Sequence, residues 1–227
     1  MSCEKCNGSG FILVHRDGYD FAVSCECRER DIADARMRAS GIGEKYKSKR
    51  LSNYETKGNE ILTKAKEIAS DYISGFFDNA KTQKNSAMFL GTVGSGKTHL
   101  SLAIANELLE QGVGFYYMPY RETMMELKQN AINDKYKYEE KMHRLTTARV
   151  LVIDDLFKGK ITDTEIGYVF QIINQRYLNG LPFVLSSEKM PSDLMEIDQA
   201  IASRLIEQAK GHVAILNDER LNHRLYE

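Results

Sequence analysis

Residues 91–98 read GTVGSGKT and match the pattern G-x-x-x-x-G-K-[ST] at every fixed position. In such a loop the glycines let the backbone turn tightly, so that successive N–H groups converge on a phosphate. Lys97 would then reach the β- and γ-phosphate oxygens, and the Thr98 hydroxyl can ligate Mg²⁺. The predicted nucleotide-binding residues of this loop are Gly91, Thr92, Val93, Gly94, Ser95, Gly96, Lys97, Thr98 and His99.

The segments on either side of this loop have the patterns that a phosphate-binding loop needs. The apolar run 86–90 precedes it as a buried strand would, and residues 99–109 carry apolar side chains at helical spacing. The loop therefore sits at a helix N-terminus, where the helix dipole and free N–H groups favour phosphates. A glycine-rich turn that matched the motif by chance would not be expected to have such a strand before it and such a helix after it.

A second motif, which is acidic, follows about fifty residues later in the chain. Residues 149–156 read RVLVIDDL, a continuous apolar strand that ends in two adjacent carboxylates, which is the Walker B pattern. Asp154 is predicted to hold Mg²⁺, usually through its water shell, and Asp155 to orient or deprotonate the water that attacks the γ-phosphate. The alternative is that the acidic pair only caps the next helix. With Lys97, these two aspartates are candidate catalytic residues.

All four cysteines of the chain lie at positions 3, 6, 25 and 27. Two close pairs separated by a hairpin-length segment can place four thiolates around one Zn²⁺. Residues 11–14 and 19–23 are predicted to be the two strands between the pairs, with a turn at 16–18. So small a module cannot fold on apolar burial alone, so metal would have to stabilise it. Four ordinary reduced thiols, or His15 in place of one cysteine, are the alternatives.

Composition limits the class of protein. The chain has 227 residues, 42% of them hydrophobic, and a formal net charge of −1. It can bury one good core and a small appendage, and it has no overall basic charge to attract nucleic acid. Because no apolar stretch approaches the length of a membrane span and no signal peptide is evident, we expect a cytoplasmic protein with no membrane partner.

The order of predicted elements indicates an α/β fold. A helical period runs from 59 to 75, and short apolar strands at 86–90, 113–118, 149–153 and 182–186 alternate with helices. Such alternation predicts a parallel sheet with flanking helices, and the glycine loop at the end of one strand makes this α/β fold a P-loop NTPase. The predicted domains are a zinc-binding module at 1–30, a helix and connector at 31–57, and an ATPase domain at 58–227.

Taken together, these features resemble the AAA+ replicative helicase loaders of bacteria and phages, the DnaC and DnaI group. The resemblance spans nearly the whole chain and is strongest from Phe89 to Arg220. It implies an ATPase that uses ATP and Mg²⁺, self-associates through its AAA+ domain and engages single-stranded DNA. It also implies a replicative DNA helicase as partner, which the N-terminal module and connector would grip.

The resemblance further implies roles for individual residues near the C-terminus. The family's arginine finger falls on Arg204, which would act on the ATP of a neighbouring subunit, and its sensor 2 arginine falls on Arg220. Sensor 1 falls where the strand at 182–186 ends, on Ser187 or Glu188. Many family members have Asn at the position of Glu188, so both candidates stay open.

Contact with nucleic acid is only weakly indicated by the sequence. Aromatic and cationic side chains interleave at 116–121, at Lys128 and at 135–138, as stacking on a single strand favours. A solvated helix face with its tyrosines packed inward is equally compatible. Two other functions also remain open: a transposition helper ATPase of the IstB type, and a nucleotide-dependent, helicase-binding adaptor with negligible turnover. The second is compatible with Asp155, where glutamate is commoner.

Overall fold

The cysteine-bearing segment folds as an antiparallel hairpin in the computed structural model, which describes residues 3–16, 18–28, 31, 35 and 44–222. Strand β1 (Phe11–Arg16) pairs with β2 (Tyr19–Ser24), so the two predicted strands are confirmed and each is slightly longer than expected. Most of the described side chains of the hairpin are exposed, so it has little core of its own. Much of the first part of the segment predicted as a helix and connector, 31–57, lies outside the described residues.

The larger part of the chain forms one parallel sheet with helices on both faces. Its strands lie in the order β4-β5-β6-β3-β7. They are β3 (Ala87–Gly91), β4 (Phe115–Pro119), β5 (Val150–Asp154), β6 (Phe183–Ser187) and β7 (Val213–Leu216). The first four were expected from their apolar runs, whereas β7 was not.

The helices found within the described residues follow the same alternation. They are α1 (Glu44–Lys47), α2 (Glu60–Ser74), α3 (Phe76–Asn79), α4 (Lys97–Glu110), α5 (Tyr120–Asn133), α6 (Lys135–Thr147), α7 (Asp163–Leu178), α8 (Pro191–Ile197) and α9 (Gln199–Gln208), with a 3₁₀ turn at Glu219–Leu221. The side chain of Asn59 accepts hydrogen bonds from the first backbone N–H groups of α2 and so fixes its start. None of the described helices combines the length and the apolarity needed to cross a membrane.

Each strand of the parallel sheet contributes to two hydrophobic cores, one on each face of the sheet. Phe89 and Val152 pack with α2 and α4, while Leu90 and Ile153 pack with helices α5 to α9. Successive side chains of a strand point to opposite faces, so a strand buried on both faces must be apolar throughout. This explains why the runs at 86–90 and 149–153 show no polar alternation.

The strand order brings three chain segments together at one edge of the sheet. Strand β3 lies between β6 and β7, and β5 lies on the far side of β6. Because parallel strands end at the same edge, the glycine loop, the acidic pair and residues 187–188 become neighbours there.

The connector packs against the domain that follows it. Leu51 and Tyr54 are buried in the same core as α2 and α4. The backbone N–H of Leu51 donates to Glu107 Oε1 at 3.0 Å, and Asn106 Nδ2 donates to the carbonyls of Tyr46 and Lys49. The predicted domain boundary between residues 57 and 58 therefore separates residues that share one core. The unit that packs together with the parallel sheet includes the connector from residue 46 onward.

A fully buried arginine ties the second core together. Arg176, on α7, donates to the backbone carbonyls of Leu145, Ala148 and Pro182. Burial lowers the pKa of this guanidinium, and three carbonyl acceptors replace the water it has lost. Arg176 thus joins α7 to the chain on either side of it and takes no part in the site described next.

Candidate nucleotide-binding site

The glycine loop runs from the end of β3 into α4, as its motif requires. Gly91 and Gly96 have positive φ angles of 138° and 89°. A Cβ atom on Gly91 would overlap the backbone carbonyl of Leu216, and one on Gly96 would lie 2.8 Å from the Tyr54 ring. Both positions therefore need glycine for conformational and for steric reasons.

Lys97 is a buried cation at the start of α4. It is 5% exposed, and its Nζ donates to the backbone carbonyl of Thr92 at 2.6 Å. Burial lowers the pKa of Lys97, against the opposing effect of the carboxylates of Asp155 and Glu188. Charged phosphate oxygens would be stronger acceptors for this ammonium group than the neutral carbonyl of Thr92.

Asp154, at the end of β5, accepts three hydroxyl hydrogen bonds. Its Oδ1 accepts from Thr98 Oγ1 at 2.7 Å and from Ser186 Oγ at 2.6 Å, and its Oδ2 accepts from Tyr117 at 2.7 Å. Burial, and then the nearby Asp154 carboxylate, raises the pKa of Tyr117, so this phenol stays a donor. The loop hydroxyl and the carboxylate thus lie side by side, an oxygen pair that suits Mg²⁺.

Asp155 follows Asp154 in a left-handed backbone conformation, with φ 57°. Its N–H donates to Ser186 Oγ at 2.9 Å, and its Oδ2 accepts from Lys158 Nζ at 2.6 Å. Lys158 Nζ also lies 3.3 Å from Glu188 Oε1. The Asp155 carboxylate, next to the end of β5, therefore faces the cleft and is paired with Lys158.

These groups line a cleft of about 490 Å³, a volume in the range of small-molecule sites. The connector forms its other wall with Tyr46, Lys49, Asn53, Tyr54 and Glu55. His99 joins the walls, because its Nε2 lies 3.0 Å from both the Arg50 carbonyl and Asn53 Oδ1, two acceptors to which Nε2–H donates. Burial lowers the pKa of His99, which favours the neutral ring.

A family model described as IstB-like ATP binding protein matches residues 26–224 of the chain. The chain belongs to this IstB-like ATP-binding family. It is 34% identical over 232 residues to the phage-like element PBSX protein XkdC of Bacillus subtilis strain 168, and the match covers 98% of this chain and 86% of XkdC.

The fold of this IstB-like protein is shared with solved structures. The crystal structure of the DnaC helicase loader matches with a TM-score of 0.61 and 23% identity, covering 78% of this chain and all of the other. That of DnaI matches with a TM-score of 0.62 and 21% identity, covering 78% of this chain and 92% of the other. The predicted P-loop AAA+ fold and the resemblance to the DnaC and DnaI group are confirmed.

Six of the nine loop residues predicted to bind nucleotide line the cleft of the IstB-like protein, and so do the two aspartates predicted to bind Mg²⁺ and to act in catalysis. The six are Val93, Gly94, Gly96, Lys97, Thr98 and His99, and the aspartates are Asp154 and Asp155. Gly91, Thr92 and Ser95 lie outside the lining that the described residues form. The Thr92 hydroxyl donates to the carbonyls of Leu216 and Asp218, and Ser95 Oγ donates to the Thr92 carbonyl, so both side chains hold the shape of the loop.

The two candidates for sensor 1 face different ways. Ser187 is fully buried, and its hydroxyl donates to the Leu156 carbonyl at 2.7 Å and accepts from the Lys189 N–H. Its hydrogen-bonding capacity is therefore used within the fold, and it is not among the described residues that line the cleft. Glu188 does line the cleft. The position that faces the cleft thus carries an acidic side chain, which when ionised accepts hydrogen bonds and donates none.

The two arginines implied by the resemblance lie away from the cleft of their own chain. The Arg204 guanidinium lies 5.6 Å from the Phe170 ring centroid and 5.5 Å from that of Tyr177, and it donates to the Ala200 carbonyl. Arg220 is paired with Asp218 at 2.7 Å, and its side chain is 86% exposed. Arg220 therefore does not contact the cleft here, although its segment adjoins the loop through the Asp218 carbonyl.

Three polar residues that bond the two predicted aspartates were missed in the sequence. Tyr117 and Ser186 lie on the strands that flank β5 and bond Asp154, and Lys158 bonds Asp155. A polar side chain within an apolar strand was a usable signal for Ser186. For Lys158 the spacing gave no signal, because its position depends on the turn that follows β5.

The four cysteine sulfurs form one cluster. All four Sγ atoms lie within 4.8 Å of one another, with Cys6 and Cys27 at 3.4 Å. Burial raises the pKa of Cys6, but hydrogen bonds from Gly10, Cys27 and Gly8 outweigh it and lower the pKa to about 6. The cluster can therefore hold a metal ion. His15 instead pairs with Asp20 at 2.8 Å and is exposed.

The segments proposed for DNA contact mostly pack within the fold. Tyr117 bonds Asp154, and Lys141 lies 5.6 Å from the centroid of the Tyr116 ring. Lys128 is paired with Glu165 at 2.8 Å. Tyr116 and Tyr117 therefore pack inward, which was the alternative to contact with DNA. Tyr136 on α6, by contrast, is exposed.

Proposed function

We propose that this protein binds ATP with Mg²⁺ in the cleft and hydrolyses it. The observation that supports the proposal is the convergence of Lys97 and Thr98 from the loop with Asp154 and Asp155 from β5. Thr98 and Asp154 would hold Mg²⁺, which neutralises phosphate charge when bound. Lys97 would contact the phosphates, and the base would lie toward the connector wall of Tyr46 and Asn53.

In the proposed reaction, Asp155 accepts a proton from the attacking water. The water oxygen forms a bond to the γ-phosphorus, and the bond from that phosphorus to the bridging oxygen breaks. ADP leaves with the bridging oxygen, and inorganic phosphate is the second product. Asp155 lies at the end of β5 that faces the cleft, beside the proposed Mg²⁺ site, which is where a water-orienting carboxylate is needed.

Asp155→Asn is expected to bind ATP at least as tightly as the wild type and to hydrolyse it about 100-fold more slowly, since a positioned base contributes on this scale. The amide keeps the shape but accepts no proton at neutral pH. Phosphate release and equilibrium binding measure the two quantities. Asp78→Asn, at an exposed carboxylate on α3, is the control. Wild-type hydrolysis by Asp155→Asn would make the pair a structural cap.

We further propose that the protein acts in the cytoplasm as a loader of a replicative helicase onto single-stranded DNA. The shared fold with the DnaC helicase loader and DnaI supports this function, and so does the N-terminal module. Cys3, Cys6 and Cys25 lie outside the region that the IstB-like model matches, whereas XkdC matches over 98% of the chain. The family match itself favours a second candidate, a helper ATPase of transposition.

Co-purification of the intact chain with the replicative helicase of its host separates these functions. The exposed Phe21 side chain lies on one face of the hairpin and the exposed Leu13 on the other, because Phe21 pairs with Val14 and Leu13 with Ala22. We expect the intact chain to retain the helicase. One of the two variants, Phe21→Ser or Leu13→Ser, should weaken this retention, and the other should leave it unchanged. Retention of a transposase instead would support the second candidate. Helicase binding without ATP turnover would support an adaptor.

We also propose that the cysteine cluster binds Zn²⁺. Purified protein is expected to contain about one zinc per chain after weakly bound ions are removed, since four thiolates complete a tetrahedral site. The double variant Cys25→Ser/Cys27→Ser is expected to lose it, and His15→Gln to retain it, as measured by metal analysis. Zinc retained by the double variant would show that the second pair does not ligate.

A further inference from the structure

Lys158 lines the cleft, and the proposed hydrolysis assigns it no role. Its Nζ lies 2.6 Å from Asp155 Oδ2 and 3.3 Å from Glu188 Oε1, and so bridges the carboxylates that follow β5 and β6. The Lys158 side chain is 38% exposed, so it borders the open part of the cleft. An ammonium group there can change partners without crossing the core.

The turn that carries Lys158 is held in an uncommon conformation. Asp155 and Phe157 both have positive φ, 57° and 60°, which is rare for a bulky residue such as phenylalanine. The turn is fixed from both sides. Phe157 is fully buried with its ring 5.7 Å from that of Tyr120, and the N–H of Leu156 donates to the Ser186 carbonyl. Backbone strain maintained by surrounding packing is typical of functional sites.

The charges at this end of the cleft favour a further cation, beside Lys97 and the proposed Mg²⁺, when a triphosphate binds. The carboxylates of Asp154, Asp155 and Glu188 all line it. A γ-phosphate beside them would be repelled, because like charges in a partly buried site are poorly screened. Glu188 cannot donate a hydrogen bond to that phosphate, and the Ser187 hydroxyl is bonded to the Leu156 carbonyl. Lys158, in contrast, is a donor that already contacts the carboxylates of both Asp155 and Glu188.

We infer that Lys158 recognises the γ-phosphate of ATP by exchanging its carboxylate partners for phosphate oxygens. This inference rests on the proposed binding of ATP in the cleft. In the absence of the γ-phosphate, Lys158 holds Asp155 and Glu188 together. When ATP binds, the ammonium turns to the γ-phosphate and releases Asp155 to orient the attacking water. Lys158 thus takes the part that a polar side chain at position 188 would otherwise play.

Lys158→Met tests the inference because it removes the charge and keeps the length of the side chain. We expect the affinity for an ATP analogue with a methylene in its β–γ bridge to fall about tenfold or more, as loss of one charge-assisted hydrogen bond implies. The affinity for ADP is expected to stay unchanged. Lys160→Met, at an exposed lysine of the same segment, is the control. Titration of the wild type and both variants with each nucleotide and Mg²⁺ gives the six affinities to compare.

A second variant keeps the test informative if Lys158→Met is unstable. Glu188→Gln removes one of the two carboxylates that compete with phosphate for Lys158. We therefore expect it to bind the ATP analogue severalfold more tightly, with ADP again unchanged. Combining it with Lys158→Met should abolish that gain, since the gain acts through the lysine.

The possible outcomes separate this inference from the proposed function. Equal losses for the ATP analogue and ADP, or no change in either, would overturn the role of Lys158 while leaving nucleotide binding intact. Faster hydrolysis by Lys158→Met at unchanged analogue affinity would also overturn it, because Lys158 would then only restrain Asp155. Absence of nucleotide binding by the wild-type chain would instead refute the proposed function.

Discussion

Lys97→Ala is expected to lower the affinity for ATP by about 100-fold or more, because two charge-assisted hydrogen bonds to phosphate are lost at roughly 1.5 kcal/mol or more each. Within the described part of the loop, Lys97 supplies the cation that follows Gly96 at the start of α4. Titration with a fluorescent ATP analogue measures the effect. Lys64→Ala, which removes an exposed lysine from α2, is the control and should bind as the wild type does.

The same substitution should not weaken the fold. Burial lowers the pKa of Lys97 in the folded protein, so the unfolded chain binds more protons between that lowered pKa and the ordinary value of 10.5. The free energy of unfolding contributed by Lys97 therefore rises with pH through this window and is least below it. At neutral pH the buried ammonium destabilises the fold.

Denaturant unfolding at several pH values tests this account of Lys97. We expect Lys97→Ala to be at least as stable as the wild type at pH 7 and to lack the rise toward high pH. A variant that is folded yet binds ATP as tightly as the wild type would refute the role of the loop. A marked loss of stability would instead show that Lys97 supports the fold.

The parts of the site that the sequence predicted are those whose geometry is local. The loop at 91–98 folds as its motif requires because its glycines and the start of α4 are consecutive in the chain. The Asp154 carboxylate follows an apolar strand directly, and parallel strands end at one edge of the sheet. Thr98 and Asp154 are 56 residues apart, yet two local patterns and one topological rule suffice to predict their contact.

The parts that were missed depend on how distant segments pack. Tyr54 lines the cleft because the connector folds back over α4, and neither its own sequence nor its charge indicates that contact. The choice between Ser187 and Glu188 depends on which of two consecutive side chains faces the cleft. That choice follows from the twist and register of β6, which a one-residue uncertainty in the predicted strand end leaves open.

The domain boundary illustrates the same limit. The stretch 45–50 is rich in lysine and arginine, a composition that favours a solvated linker. Within it, however, the Tyr46 and Lys49 carbonyls accept from Asn106, and next to it Leu51 enters the core. Backbone groups of any sequence can make such bonds, so composition alone does not reveal that the connector belongs to the packed unit.

Arg204→Ala chains are expected to lose about 10³-fold in hydrolysis rate, the scale on which an arginine finger acts in comparable phosphoryl transfer. The proposal is that Arg204 completes the ATP site of a neighbouring subunit. Its guanidinium is not among the described residues that line the cleft of its own chain, and it rests over the Phe170 and Tyr177 rings on α7. Cation–π contacts of this kind would hold the side chain in place for a partner.

Mixing two inactive variants tests whether Arg204 acts between subunits. Lys97→Ala chains keep the finger but bind ATP poorly, and Arg204→Ala chains keep the ATP site, so their mixture should regain part of the activity that neither has alone. The regained rate should increase with total protein concentration, as an assembly-limited reaction must. The control replaces the first partner by Lys97→Ala/Arg204→Ala chains, which carry no finger and should restore nothing. If both single variants self-associate and every mixture stays inactive, Arg204 has no role in the partner's site, and its contacts with Phe170 and Tyr177 serve only the packing of α9 on α7.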